Sequence, residues 1–479
     1  MKRYQNGPRL LAALTLAILA VSAKSGERPA TACALERIEW TARGENYEPA
    51  QSLVPGSDPR HVSDDRVRVT WSPATGEAEL AWQKQTHYPF AKRWRYTETY
   101  SPDDSAIEGR GGFRPATDDG LPPARRMMRF AELWLRVPAL WPDERQGVEL
   151  AGASWQRKGP EERPDSASAR ELNPPKAASD HVIEYFDWRE VNGLSVPGRI
   201  ERRVGGELIR RERLTDWDVE RRTTPLSDCR DPATDTHPEG AGWAERMLHW
   251  LLRRQAMGAG SAVDMSQPIK LENLADGIHH IRGSSHHGLV IETGDSLVLA
   301  DASLYPSRSY QLLERLESRF PDQPISHVVL THHHHDHSGG LLPLVRTGAT
   351  LVVSSEAGTY FRDILDAHGV EAPSVTEAGP GYQLPDLNRT VELLPIPNSH
   401  AAGMLAVHIP DADHVFNADL YSPGRETQHP LWAEEFYRAL EWHGLDDVSL
   451  SGGHGKGTEP FRALEDWVNA NGTGVGLEP

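Results

Sequence analysis

The sequence predicts a two-domain α+β protein, with a mainly antiparallel β domain over residues 24–225 and a second domain of alternating strands and helices over 269–479. Three observations carry that expectation. A chain of 479 residues exceeds one ordinary domain. Its 38% hydrophobic and 25% charged residues are the composition of a soluble globular protein able to bury a core. The apolar pattern also changes after Ile278, from strict alternation to short strands separated by helices.

The N-terminus comes first. Lys2, Arg3 and Arg9 precede Leu10 to Ala20, which is apolar apart from Thr15, and Val21-Ser22-Ala23 supplies small residues for cleavage. Residues 1–23 therefore read as a signal peptide, which places the mature protein in the periplasm or outside the cell. The alternative is a membrane anchor, but a span needs roughly 20 apolar residues. No stable span is expected there or later. In an oxidising compartment Cys33 and Cys229 are expected to pair across a long loop rather than remain buried thiols. A lipid anchor on Cys33 is disfavoured because Ala30-Thr31-Ala32 lies too far beyond the apolar run. The formal net charge of -18 argues against nucleic acid as a partner, since phosphate contacts rely on clustered Lys and Arg. A small-molecule substrate is the expected partner, and the oligomeric state is left open.

In the β domain, Val67, Val69 and Trp71 alternate with polar residues, and Ser72 to Glu77 forms a turn. Ala78, Leu80 and Trp82 resume the alternation, and Trp94, Tyr96 and Tyr100 continue it. Val182 to Trp188 reads as a strand, and Arg199 to Leu214 as a hairpin around Gly205-Gly206. The arginines of that hairpin, Arg202, Arg203, Arg210, Arg211 and Arg213, are interleaved with Glu201, Glu207 and Glu212, the pattern of a solvated face. Pro122 to Leu140 predicts a helix carrying Met127, Met128, Phe130, Leu133 and Leu135. Lys158 to Ala178, rich in Pro, Ser, Glu and Arg, predicts a loop. The long aromatic strands loosely resemble the lipoprotein-carrier half-barrels of the bacterial envelope, which implies a lipid-like ligand or a shield over the second domain.

Residues 226–268 predict a linker followed by an amphipathic helix, Trp243 to Met257. Beyond it, a hydrophobic strand, Ile325-Ser-His-Val-Val-Leu-Thr331, runs into His332-His-His-His-His-Asp-His337, and Ser338-Gly339-Gly340 opens a helix. Imidazole nitrogen and carboxylate oxygen are the ligands zinc takes, and a tight loop lets them converge. A fortuitous surface histidine tract explains neither the strand before the cluster nor the glycines after it.

These residues resemble the His-x-His-x-Asp-His signature of the metallo-β-lactamase superfamily. Aligned on Asp336 and His337, the signature selects His332, His334, Asp336 and His337 and leaves His333 and His335 as fillers. Further motifs follow the family's order: a strand ending at Asp301, then His400 in Asn398-Ser-His-Ala-Ala-Gly403, Asp419 after His414-Val-Phe-Asn-Ala, and His454 in Ser451-Gly-Gly-His-Gly-Lys-Gly457. The resemblance implies an αββα sandwich and two metal ions, zinc first and iron or manganese as alternatives. By position, His332, His334 and His400 would hold the first ion. Asp336, His337 and His454 would hold the second, Asp419 would bridge both, and Asp301 would brace the ligand loop from behind. Two such ions share a bound water and lower its pKa to about 7, with Asp336 as the residue that orients it.

The resemblance implies a binuclear metal-dependent hydrolase of an ester, thioester, lactone or related bond. An Asp at position 419 is retained by glyoxalase II-like enzymes, lactonases, phosphodiesterases and alkylsulfatases, which makes β-lactam hydrolysis the less expected activity. Two other readings compete: a mononuclear iron dioxygenase on the same scaffold, and a non-catalytic envelope ligand-binding protein. The full ligand set disfavours both. His286 and His287 read either as the mouth of the pocket or as a polar loop, and His279 and His280 as structural. Trp432, Phe436, Tyr437 and Trp442 read as an apolar lid or as ordinary helix packing.

Overall fold

The computed structural model describes residues 30–474, apart from 102–103, 111–122, 141–147, 151–152, 159–164, 171–179, 205, 228, 230–267 and 284. The leader expected over 1–23 and the helix expected at Trp243 to Met257 lie outside the described residues. Alternating residues build the first half into a meander: β1 (Leu35–Glu48), β2 (Arg60–Ser72), β3 (Glu77–Thr86), β4 (Lys92–Tyr100) and β5 (Ser105–Arg110). After α1 (Pro123–Arg136) come β6 (Val148–Leu150), β7 (Ala153–Lys158), β8 (Asp165–Arg170) and β9 (Asp180–Phe186). A small hairpin of β10 (Arg189–Val191) and β11 (Leu194–Val196) precedes β12 (Arg199–Val204) and β13 (Glu207–Arg221). The main sheet has the order β5-β4-β3-β2-β1-β13-β12-β9-β8-β7-β6, so the last long strand pairs with the first.

Register follows from the apolar alternation. Val67, Val69 and Trp71 of β2 stand opposite Trp82, Leu80 and Ala78 of β3, and all six are buried. Helix α1 covers this face with Phe130, Leu133 and Trp134, the last edge-on to Trp71 at 5.5 Å. The disulfide Cys33–Cys229 ties the start of β1 to a point just past β13, closing a sequence separation of 196 residues.

Two expectations for this half are corrected. The segment expected to be a loop at 158–178 contains β8, paired antiparallel with β9 through Ser168 and Val182. Without it, β9 would leave its outer edge of backbone groups unpaired. The hairpin β12–β13 forms as expected, but its charges are not all solvated. Arg202, Arg210 and Glu212 are buried on the face under α1. They join Asp65, Glu98, Arg129, Glu132 and Arg136, with Arg210–Asp65 at 2.7 Å, Arg136–Glu212 at 2.8 Å and Arg129–Glu98 at 2.7 Å. Pairing offsets a desolvation cost of several kcal/mol per ion, which lone charges there could not bear.

The second half makes two sheets. The first runs in sequence order: β14 (Lys270–Ala275), β15 (Ile278–Arg282), β16 (Gly288–Glu292), β17 (Leu297–Ala300), β18 (Ile325–Val329), β19 (Thr350–Ser354) and β20 (Val375–Ala378), antiparallel up to β17 and parallel beyond. The second contains β21 (Tyr382–Gln383), β22 (Glu392–Pro395), β23 (Leu405–Ile409), β24 (His414–Asn417), β25 (Ser449–Gly452) and β26 (Glu459–Pro460). Along β17, Val298 and Ala300 face the other sheet while Leu297 and Leu299 face helices, so the run is apolar throughout. Helices α2 (Pro306–Arg319), α3 (His335–Ser338), α4 (Leu341–Val345) and α5 (Gly358–Ala367) accompany the first sheet. Helices α6 (Pro430–Trp442) and α7 (Phe461–Asn471) cover the second. This is the expected αββα sandwich.

The two halves also share their interiors. Leu304 and Tyr305 of the sandwich belong to the core under α1, while Val62 and Tyr88 of the β domain belong to the core under α6. Among the described residues no helix is long and apolar enough to cross a membrane.

Candidate metal centre

Each candidate residue sits just past the C-terminal end of a strand or on the loop between two: Asp301 after β17, His332 to His337 after β18, His400 between β22 and β23, Asp419 after β24 and His454 after β25. Strand ends that converge on one rim are where open sheets hold their ligands. Small residues permit the crowding. A Cβ on Gly453 would stand 2.9 Å from Cε1 of His337, and one on Gly339 would collide with the Leu304 carbonyl.

The side chains form two groups joined by one carboxylate. His332, His334, His400 and Asp419 place four ligand atoms within 4.8 Å of one another, and His286, His337 and His454 place three. Asp419 spans the pair. Its Oδ2 lies 2.9 Å from His400 Nε2 and 3.4 Å from His332 Nε2. Its Oδ1 lies 2.7 Å from His454 Nε2 and 3.1 Å from His337 Nε2. A third group, His61, Asp64 and His87, lies on the β domain, where each imidazole bonds one oxygen of Asp64.

Asp301 stands behind the loop. It accepts from the Thr331 amide and hydroxyl, both at 2.9 Å, and from His337 Nδ1 at 2.9 Å. That last bond leaves His337 Nε2 to face Asp419. The sequence placed Asp336 with His337 and His454, but its oxygens are engaged elsewhere: Gln51 Nε2 donates to Oδ1 at 2.5 Å and His286 Nε2 lies 2.9 Å from Oδ2. His286, read from sequence as pocket mouth or polar loop, is buried in the second group, with its ring centroid 4.4 Å from that of His454. The fillers are not solvated either. His333 and His335 are both buried, and His333 bonds the Ser52 carbonyl at 3.1 Å. His279 and His280 are structural, bonding Glu292 and the Gly452 carbonyl. On α6, Trp432 and Phe436 are buried in the core, with Trp432 edge-on to His400 at 4.4 Å, while Trp442 is exposed.

Charge follows geometry. Burial alone raises the carboxyl of Asp419, but His337 and His454 outweigh it and hold it well below the usual carboxylate range. Burial likewise raises Asp336, but the hydrogen bond and charge of His286, with His337 and His335, together hold it well below the usual carboxylate range. Burial, reinforced by His332 and His400, lowers His334 well below the usual imidazole value. His400 is pushed down to about 4, chiefly by burial. Neutral imidazoles beside ionised carboxylates are the forms that bind a cation.

The residues fit a divalent cation on two further counts. His334 Nδ1 is buried and has no hydrogen-bond partner among the described residues. His332 Nε2 and His400 Nε2 stand 3.3 Å apart on one carboxylate oxygen, where facing lone pairs repel unless a proton or a cation lies between them.

Gln51, Ser52 and Tyr88 are contacts that sequence reasoning missed. Gln51 and Asp336 are 285 positions apart, and Tyr88 and His400 are 312 apart, so no local pattern links them. His286 did carry a signal, since it sits with His287 at the mouth of β16.

Known proteins are similar to parts of this chain. The chain is 33% identical over 97 residues to a metal-dependent hydrolase from Chelativorans sp., which is 20% of this chain and 38% of that protein. It is 30% identical over 118 residues to a hydroxyacylglutathione hydrolase from Shewanella halifaxensis, which is 24% of this chain and 42% of that protein. The matches thus span well under half the length of these curated relatives. Among solved structures, a metallo-beta-lactamase from Pontibacter korlensis aligns with a TM-score of 0.35 at 17% identity, covering 42% of this chain and 97% of that one. Residues 281–451 match the metallo-beta-lactamase superfamily, a span that runs from the end of β15 to the end of β25 and holds every residue of the two groups but His454. By that match the sandwich half of this chain is a metallo-beta-lactamase superfamily domain.

Proposed function

We propose that this chain is a hydrolase that holds two divalent cations, zinc before iron or manganese, and cleaves an ester, thioester, lactone or related bond. The observation that carries the reading is Asp419, one oxygen on each cluster. His332, His334 and His400 would hold one ion and His286, His337 and His454 the other, with Asp336 adjoining the second through His286. When bound, such a pair supplies Lewis acidity to the carbonyl under attack and lowers the pKa of water held beside it. The chain does the rest. Ionised Asp419 spaces the two clusters, Asp301 holds the His337 ring in place, and Asp336 keeps His286 turned inward. The match to a protein named hydroxyacylglutathione hydrolase supports a thioester among the first substrates to try.

The test is metal analysis together with a panel of ester, thioester, lactone, phosphodiester, sulfate and β-lactam substrates, on wild type and Asp419→Ala. Two equivalents of metal and turnover of at least one acyl substrate are expected for wild type, with both lost or sharply reduced in Asp419→Ala. One iron per chain, or turnover unchanged by the substitution, overturns the reading.

We infer as well that the chain is exported. The basic and apolar leader over 1–23 supports this, and so does a disulfide of a kind that persists in oxidising compartments.

A further inference from the structure

We propose that the β domain is a working part of the metal centre: Ser52 and Tyr88 are positioning residues that fix which ring nitrogen His334 and His400 turn toward the first cation. The inference rests on the two-cation reading above and concerns the first cluster, two of whose histidines bond the β domain directly.

Two histidines of the second cluster are oriented from within the sandwich. His337 Nδ1 bonds Asp301, and His454 Nδ1 bonds the Ser285 carbonyl at 2.8 Å. The first cluster depends on the other half of the chain. Past β1 the chain makes a turn at Pro49–Gln51, held by the Glu48 carboxylate accepting from the Ala50 amide at 3.1 Å. Ala50, Gln51 and Ser52 are all buried there. The Ser52 carbonyl lies 2.9 Å from His334 Nε2. A carbonyl only accepts, so Nε2 must carry the proton and Nδ1 must be the bare nitrogen. That nitrogen is buried and has no hydrogen-bond partner among the described residues, on a ring grouped with His332, His400 and Asp419.

Tyr88 does the equivalent for His400. Its hydroxyl lies 3.0 Å from His400 Nδ1, which leaves Nε2 for Asp419 and the cluster. The tyrosine is itself held in place. The Arg60 guanidinium covers its ring at 4.2 Å and donates to the His400 carbonyl at 3.1 Å, while Trp432 packs against it at 5.9 Å. The Leu53 carbonyl accepts from the Ala402 amide at 2.7 Å, pinning the His400 loop to the same turn. Partners of this kind typically carry a factor of about 10–100 in metal affinity.

Competition against a chelator of known affinity, on zinc-loaded full-length protein, tests the assignment. Tyr88→Phe should weaken one of two tight equivalents by about 10–100-fold. It should leave the other equivalent within twofold and shift the visible absorption of the cobalt-substituted protein. No change in either equivalent, or equal weakening of both, overturns the proposal. Should Tyr88→Phe fold poorly, Arg60→Met, which releases the Tyr88 ring without touching an imidazole, should weaken the same equivalent to a smaller degree. Wild-type protein that binds no zinc would instead sink the metal-centre reading itself, so the two failures are distinct.

Discussion

Side by side in one loop, His333 and His334 both reach the Ser52 carbonyl through Nε2, at 3.1 and 2.9 Å, yet they face different surroundings. Of the two, His334 belongs to the group with His332, His400 and Asp419 and His333 does not. His334→Ala should therefore cost one of two metal equivalents, while His333→Ala keeps both and loses only about 1 kcal/mol of stability. Metal analysis and urea denaturation of the two variants check this, and equal metal loss from both would refute it. The resemblance to the family signature, aligned on Asp336 and His337, is what drew this distinction in the sequence. The same reading put Asp336 among the ligands and left His286 ambiguous. Gln51 bonds Asp336 from 285 positions away, a contact that spacing does not reveal.

Helix α1 and strand β13 meet across charge rather than across an apolar seam alone. Glu132 is bonded by Arg129 at 2.6 Å and lies near Arg136 and Arg202. Burial alone raises its pKa, but Arg129, Arg136 and Arg202 outweigh that and hold it down at about 2, from an ordinary 4.5. A carboxyl depressed in the folded state contributes stability that is present above its unfolded value and lost as pH falls through the folded one. Stability should decline as pH falls from about 4.5 to about 2. Glu132→Gln should cost about 3–5 kcal/mol at neutral pH, because it leaves arginines buried without their counter-charge. It should also flatten the acid decline, and urea midpoints across that range would expose an unchanged slope. The alternation of β13 was legible in sequence, as was the turn at Gly206. That its 210–214 face lies under a helix was not, since period two shows which residues share a face and not what covers it.

On the scale of the whole molecule, the αββα layering was readable because strands covered on both faces are apolar at every position, as β17 is. The disulfide was readable because only two cysteines are present. Export has a measurable signature: protein recovered from the periplasmic fraction should have the intact mass of a chain lacking 1–23 and no titratable thiol. Full-length, reduced protein confined to the cytoplasm would contradict the export reading.

Leu304 and Tyr305 sit in the interior of the β half, and Val62 and Tyr88 in that of the sandwich. A chain that lends residues in both directions cannot be trimmed at its midpoint, because each fragment would be left with a hole and a greasy stub. The front half is therefore not an interchangeable attachment. Any gene rearrangement that replaced it would have to supply matching plugs, so the two halves are free to diverge only in step.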